Sequence, residues 1–263
     1  MNTAHSFHLF DVRGDYPQEV NERLAFIIGK SLLQIYQPKR VVVASDTRES
    51  SPILKNFLID GLSQGTAKII DLAEISMPQF SFSAITGKYD LGVMVTASHV
   101  SDPENGFNFY GPSGLPFNQQ EVETLRNCVN RQINDPVVLP KQKAVRGDTT
   151  DSYINDLESK LPQTKFRSAI VIDITRSSVV TPVMVLFSRL GINFKLVKSA
   201  HSGNPILPAN RKDIESMVKE TKSNLGMMWD SDGDRVIFID HEGRLIPMSF
   251  VLGMLAADVV RRH

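Results

Sequence analysis

One order of elements occurs twice in this chain and limits the fold more than any other feature. Lys39-Arg40-Val41-Val42-Val43-Ala44-Ser45-Asp46 reads as a strand, Thr47-Arg48-Glu49-Ser50-Ser51 as a polar loop, and Pro52 to about Ser63 as a helix. Proline suits the first turn of a helix, where its missing N–H has no partner to lose. Gly65 closes the helix, and Lys68-Ile69-Ile70-Asp71-Leu72 forms the next strand. The same order returns in Ala169-Ile170-Val171-Ile172-Asp173, Thr175-Arg176-Ser177-Ser178, the stretch Pro182 to Leu190, Gly191, and Phe194-Lys195-Leu196-Val197. Such βαβ units bring parallel strands with covering helices. The expected fold class is α/β: two related domains, each a mixed, mainly parallel sheet with helices on both faces.

The repeat continues into a third strand. Leu91-Gly92-Val93-Met94-Val95-Thr96-Ala97-Ser98-His99 aligns with Leu225-Gly226-Met227-Met228-Trp229-Asp230-Ser231-Asp232-Gly233. The turns after these strands are thus equivalent loops of sister domains. Ligands of open α/β sheets gather beyond the carboxyl ends of the strands, so the two loops are expected to face each other across one interdomain cleft. Residues 135–148 carry two prolines and no helical period, which reads as a linker. The expected domains are residues 1–140 and 150–263, the second opening with a helix near Thr150 or Asp151. Its last stretch, Met248 to Arg262, reads as a mostly apolar helix that needs a partner surface.

The run Asp230-Ser231-Asp232-Gly233-Asp234-Arg235 sets three carboxylates on alternate residues between two apolar, strand-like segments. Carboxylates so crowded repel one another unless positive charge sits among them. A hard divalent cation with oxygen ligands supplies it; an acidic turn on a solvated surface is the competing reading. An EF-hand calcium loop is excluded. It needs glycine at its sixth position and glutamate at its twelfth, and these are Arg235 and His241. A magnesium-type site with a position open for a phosphate oxygen fits better.

Lysine plus arginine equals aspartate plus glutamate at 29 each, so no global field draws nucleic acid or an anionic membrane. Small anions must then be held by individual arginines. A single cysteine, Cys128, in a helical pattern excludes an internal disulfide and agrees with a reducing compartment. Met1-Asn2-Thr3-Ala4-His5-Ser6 lacks the basic start and apolar stretch of a signal peptide. The expectation is a cytoplasmic protein with no nucleic-acid or membrane partner.

Ser98 ends a buried strand in the loop equivalent to the acidic one. Serine in such a turn is commonly structural. Its surroundings lack the Gly-x-Ser-x-Gly elbow of the α/β-hydrolases, and His99, adjacent in sequence, is poorly placed to act as its base. The chemistry left to Ser98 is that of a phosphate carrier, since a phosphoserine adds up to two negative charges and three acceptor oxygens that can complete a metal shell.

Phe10-Asp11-Val12-Arg13-Gly14, Ser45-Asp46-Thr47-Arg48-Glu49-Ser50-Ser51, Thr96-Ala97-Ser98-His99, Asn105-Gly106-Phe107 and the acidic run follow one another along the chain. Together they resemble the α-D-phosphohexomutase family, the phosphomannomutases and phosphoglucomutases. The resemblance covers the first two family domains, essentially this whole chain. It implies intramolecular phosphoryl transfer between the 1- and 6-positions of a hexose phosphate, with a hexose bisphosphate as bound intermediate and activator. It further implies that Ser98 is the phosphoserine, that Asp230, Asp232 and Asp234 hold Mg2+ together with Ser98, and that Arg13 and His99 join Ser98 in catalysis. Arg235 and Asn108 would bind substrate.

Four departures qualify what the resemblance implies. The family's Asn-Gly-x-Lys supplies a proton-transferring lysine, and that position is Asn108, whose neutral amide exchanges no proton. Val100-Ser101 replaces the Asn-Pro that usually follows the serine and histidine, and Asp173-Ile174-Thr175-Arg176-Ser177-Ser178 lacks the family's glycine. The family's third and fourth domains, which read the sugar and its second phosphate, are expected from another chain or domain supplying the C-terminal half. The alternatives are a degenerate homologue that binds metal, sugar phosphate or a protein partner without turnover, and a metal-dependent phosphatase that uses water. Arg13 reads as a loop residue with either a salt-bridge or a phosphate role, and Arg48 as a structural loop arginine. His99 reads as a loop anchor or a phosphate neighbour, His201 as a loop residue and Trp229 as core.

Overall fold

The computed structural model describes residues 5–100, 103–138, 144–161, 168–175, 177–199 and 204–262. Arg176, His201 and linker residues 139–143 lie outside them. The first sheet holds β1 (Asp11–Asp15), β2 (Arg40–Ser45), β3 (Lys68–Glu74), β4 (Leu91–Val95), β5 (Glu104–Tyr110) and β6 (Val145–Arg146), in the order β1-β5-β4-β2-β3-β6. Its core β4-β2-β3-β6 is parallel, while β5 runs antiparallel to β4 and β1. The second sheet holds β7 (Ile170–Asp173), β8 (Phe194–Val197), β9 (Leu225–Trp229), β10 (Val236–Asp240) and β11 (Leu245–Ile246), in the order β11-β10-β9-β7-β8. Here β7 pairs in parallel with β8 and β9, and β10 is antiparallel to β9 and β11.

The helices are α1 (Glu22–Tyr36), α2 (Ser51–Leu62), α3 (Met77–Thr86) and α4 (Gln119–Gln132), then α5 (Thr150–Lys160), α6 (Val180–Arg189), α7 (Lys212–Thr221) and α8 (Met248–Arg262). Alternation along β2 explains how they are distributed. Val41 and Val43 pack with Leu24 and Ile28 of α1, Leu54 and Leu58 of α2 and Leu125 of α4, whereas Val42 and Ala44 pack with Phe80 and Ala84 of α3. A strand covered on both faces must be apolar throughout, which is how β2 reads. Burying each large side chain contributes about 1.5–3 kcal/mol. In the second sheet Val171 meets Ile214 and Val218 of α7, while Ile170 and Ile172 meet Val183 and Phe187 of α6. Both sheets therefore carry helices on both faces, and Trp229 joins the α6-side core as expected.

The stretch read as a linker contains β6, which pairs with Ile70 and Asp71 and extends the first sheet. Two residues are too few to show a period. Just beyond it, α5 reaches across to α3: Gln79 Nε2 donates to Thr150 Oγ1 over 3.2 Å, and the Phe82 and Tyr153 rings lie 5.5 Å apart. Cys128 is buried and free. The apolar side chains Phe250, Leu252, Met254, Leu255, Val259 and Val260 of α8 are all exposed. Among the described residues, no helix is long and apolar enough to cross a membrane.

Candidate functional site

The two sister loops leave equivalent strands. β4 lies between parallel β2 and antiparallel β5, as β9 lies between parallel β7 and antiparallel β10. Beyond β4 the backbone turns sharply, with Ser98 in the left-handed region at φ 57°. That conformation is uncommon for a residue with a side chain and persists where neighbours enforce it. Arg48 does so. Its guanidinium donates to the carbonyls of Ser98 at 2.7 Å, Val100 at 2.5 Å and Glu104 at 3.2 Å. Its Nε lies 3.2 Å from Asp46 Oδ2, and both side chains are buried. Arg48 is the structural arginine its loop suggested.

The turn at Ser98 also sets the direction of His99. Adjacent side chains diverge on an extended strand, but here Ser98 Oγ lies 3.4 Å from His99 Nδ1. Burial and then the Arg235 and Arg13 guanidiniums push the His99 pKa down, against the opposing pull of Asp234. The imidazole therefore favours its neutral form, and residues of both domains lie within electrostatic reach of it.

The acidic loop is a compact turn. Arg235 N–H donates to Asp230 Oδ1 at 3.1 Å, and Gly233 N–H to the Asp230 carbonyl at 3.2 Å. Gly233 has φ +73°, and a Cβ there would stand 2.0 Å from Val179 Cγ1, so only glycine fits. Two contacts plant this loop on the first domain: Met77 N–H, at the start of α3, donates to the Asp232 carbonyl at 2.7 Å, and Thr96 Oγ1 lies 3.1 Å from Asp232 Oδ2. From its own domain, Ser178 N–H and Oγ both donate to the Ser231 carbonyl.

Carboxylate oxygens of Asp230, Asp232 and Asp234 lie within 4.8 Å of one another, with the first two residues buried and Asp234 exposed. Burial, then Asp232 and Asp234, push the Asp230 pKa up to about 8. Burial, then Asp234 and Asp46, push that of Asp232 up to about 7. Four buried side-chain polar atoms lack a hydrogen-bond partner among the described residues: Asp230 Oδ2, Asp232 Oδ1, Arg13 Nε and Ser63 Oγ. An orphaned buried polar atom costs about 1–3 kcal/mol. Two buried carboxylate oxygens with no donor, beside a third carboxylate, are a set that a hard divalent cation satisfies.

Arg13 is a strand residue rather than a loop residue. It sits in β1 opposite Gly106, and its Nη2 is 2.9 Å from Asp11 Oδ2. This strand is not legible in sequence because β1 is short and carries charge at three of its five positions, Asp11, Arg13 and Asp15. Arg235 is partly exposed, with Nε 3.8 Å from Asp234 Oδ1. Asn108 pairs with Met94 and Asp11, two residues further along β5 than Gly106, whose carbonyl anchors Thr96 N–H. None of the hydrogen bonds that shape the Ser98 loop among the described residues involves the Asn108 side chain.

Sequence reasoning passed over Thr96, Met77 and Asp46. Thr96 was visible only as a hydroxyl at the strand end, two residues before Ser98. The amide of Met77 carries no sequence signal at all.

A family model described as phosphoglucomutase/phosphomannomutase, alpha/beta/alpha domain I, matches residues 4–135, half of the chain. A phosphohexose mutase from Xanthomonas campestris pv. campestris is 29% identical over 272 residues, covering 99% of this chain and 60% of its own. A phosphoglucosamine mutase from Buchnera aphidicola is 30% identical over 249 residues, covering 90% of this chain and 53% of its own. The chain thus spans 53–60% of the length of these two relatives. Among solved structures, a phosphoglucomutase/phosphomannomutase family protein from Burkholderia thailandensis superposes with a TM-score of 0.85 at 24% identity, over 100% of this chain and 60% of its own, which speaks for the fold. The motifs, the domain match and the two-sheet architecture agree: the chain belongs to the phosphoglucomutase/phosphomannomutase family.

Proposed function

We propose that this chain forms the phosphoryl-carrying and metal-holding part of a phosphohexomutase, built from residues 1–140 and 150–263, and acts on a hexose phosphate in the cytoplasm. The carrying observation is the character of the orphaned atoms. Three of the four buried, unpartnered side-chain atoms among the described residues belong to the candidate site. Asp230 Oδ2 and Asp232 Oδ1 are acceptors that ask for a cation, and Arg13 Nε is a donor that asks for an anion. A phosphoserine at Ser98 with Mg2+ held by Asp230, Asp232, Asp234 and a phosphoryl oxygen meets both demands. When bound, the cation neutralises charge on the phosphoryl oxygens.

The residues of the chain do the rest. Ser98 Oγ carries the phosphoryl group and passes it to a hydroxyl of the hexose phosphate, giving a bound hexose bisphosphate; the other phosphate then returns to Ser98 Oγ. Arg13 and Arg235 stabilise the equatorial oxygens in transit, where preorganised charge is worth most. His99 Nδ1, 3.4 Å from Ser98 Oγ, stands beside the oxygen whose proton state changes. The mutase relatives support a hexose or hexosamine phosphate as substrate class. A chain or domain supplying the C-terminal half reads the sugar, and the exposed apolar side of α8 is the surface proposed for its docking.

A second reading has its own observation. Asn108 cannot move a proton, which favours a homologue that binds sugar phosphate without turning it over.

Incubation with a hexose 1,6-bisphosphate tests the carrier role directly. Intact-mass analysis is expected to show one added phosphoryl group, absent in Ser98→Ala; a protein that stays unmodified sinks the reading. A coupled assay with glucose 1-phosphate, mannose 1-phosphate and glucosamine 1-phosphate, with and without an added C-terminal half, then separates mutase from binder. Phosphorylation without isomerisation in every mixture decides for the binder.

A further inference from the structure

We infer that Thr96 is the positioning residue through which cation binding in the second domain is transmitted to Ser98 in the first. The inference rests on the cation reading above. It stands on one buried oxygen with three neighbours. Thr96 Oγ1 accepts the Ser98 N–H at 2.8 Å, and lies 2.8 Å from Asp46 Oδ2 and 3.1 Å from Asp232 Oδ2. Thr96, Asp46 and Asp232 are each at most 1% exposed, so bulk solvent does not reach them.

A hydroxyl has one hydrogen to give, and two carboxylates lean on it. They are unequally served. Asp46 also receives Ser51 Oγ–H, the Arg48 N–H and the Arg48 guanidinium. Asp232 Oδ2 has Thr96 as its partner among the described residues, and Asp232 Oδ1 has none. Without a cation, the Thr96 hydrogen is held between two acceptors. A cation among the three aspartates neutralises Asp232, and the hydrogen is released to Asp46. This fixes the hydroxyl rotor and aims its lone pair at the Ser98 N–H, a bond that helps Arg48 hold the left-handed turn of Ser98. A turn-type hydroxyl accepting an amide two residues on is a common local motif. That motif accounts for the Ser98 contact and leaves the Asp232 contact, across the domain boundary, without a role.

The full chain is tested as it is, together with Thr96→Val, which keeps the shape and removes the hydroxyl, and Thr96→Ser, which restores it. Mg2+ alone is titrated by calorimetry, and amide exchange at Ser98 is followed with and without Mg2+. The unaltered protein and Thr96→Ser are expected to bind Mg2+ alike and to slow Ser98 exchange when it binds. Thr96→Val, which leaves Asp232 Oδ2 without the donor that the cation displaces, is expected to bind Mg2+ at least as tightly, with Ser98 exchange indifferent to Mg2+. A Ser98 response to Mg2+ in Thr96→Val equal to that of the unaltered protein overturns the inference alone. Mg2+ that fails to bind the unaltered protein removes the cation reading itself. Should Thr96→Val not fold, the unaltered protein still decides: bound Mg2+ that leaves Ser98 exchange unchanged overturns the inference.

Discussion

Met77 N–H donates to the carbonyl oxygen of Asp232 over 2.7 Å, so a helix start in one domain holds the acidic turn of the other. The amino end of α3 carries partial positive charge, and it sits against a loop with three carboxylates. The geometry makes the acidic turn a shared element of both domains, and its consequences can be measured.

Mg2+ is expected to raise the melting temperature of the unaltered protein. At a hundredfold excess over the dissociation constant the gain is about 2.7 kcal/mol, a shift of several degrees in a thermal scan. Asp232→Asn should abolish it. An equal shift in both proteins removes Asp232 from the metal site.

The acidic pair also sets a pH dependence. Because burial and mutual repulsion raise the pKa of Asp230 to about 8 and of Asp232 to about 7, the folded protein without cation holds protons that the unfolded chain gives up at lower pH. The stability so contributed is fully present below about pH 4 and is lost as pH rises through 7 to 8. Bound Mg2+ displaces those protons. The Mg2+-induced thermal shift is therefore expected to grow between pH 6 and pH 8; a shift that is flat or shrinks over that range contradicts the assignment.

Arg48→Met leaves Asp46 without its buried counter-ion and frees the carbonyls of Ser98, Val100 and Glu104. Breaking a buried pair from one side costs about 3–5 kcal/mol. Urea unfolding should show a loss of that order, and amide exchange around Ser98 should quicken. A loss below about 1 kcal/mol, within the range of an ordinary surface pair, would show that the loop is held by something else.

Gly233→Ala meets both a left-handed backbone and Val179 Cγ1 at 2.0 Å. Strain of this kind costs about 1–3 kcal/mol, and the Mg2+-induced thermal shift should fall with it. Unaltered stability together with an unaltered Mg2+ response would mean that the turn tolerates a side chain.

Much of this protein was open to a reader of residues. The strands β2, β3, β4, β7, β8, β9 and β10 announce themselves as short apolar runs bounded by polar turns, because both faces of each sheet are covered. The alignment of Leu91–His99 with Leu225–Gly233 placed two chemically loaded loops at equivalent strand ends, as they are found. Arg13 and β6 escaped because charged or two-residue strands owe their structure to a neighbour rather than to their own pattern. The approach of His99 to Ser98 was not legible, because side-chain direction depends on the φ of Ser98, which a local sequence does not reveal.

By itself, the sequence determined the repeated βαβ order, the loop partners and the crowding of three carboxylates, since periodicity and charge spacing are properties of neighbouring residues. Only the tertiary structure decided that Thr96, 136 residues from Asp232, shares a hydroxyl with it. It alone decided that the amide of Met77 holds the acidic turn and that His99 faces Ser98. Those relations arise where two domains meet, and buried polar atoms there must find partners wherever the packed chain brings them.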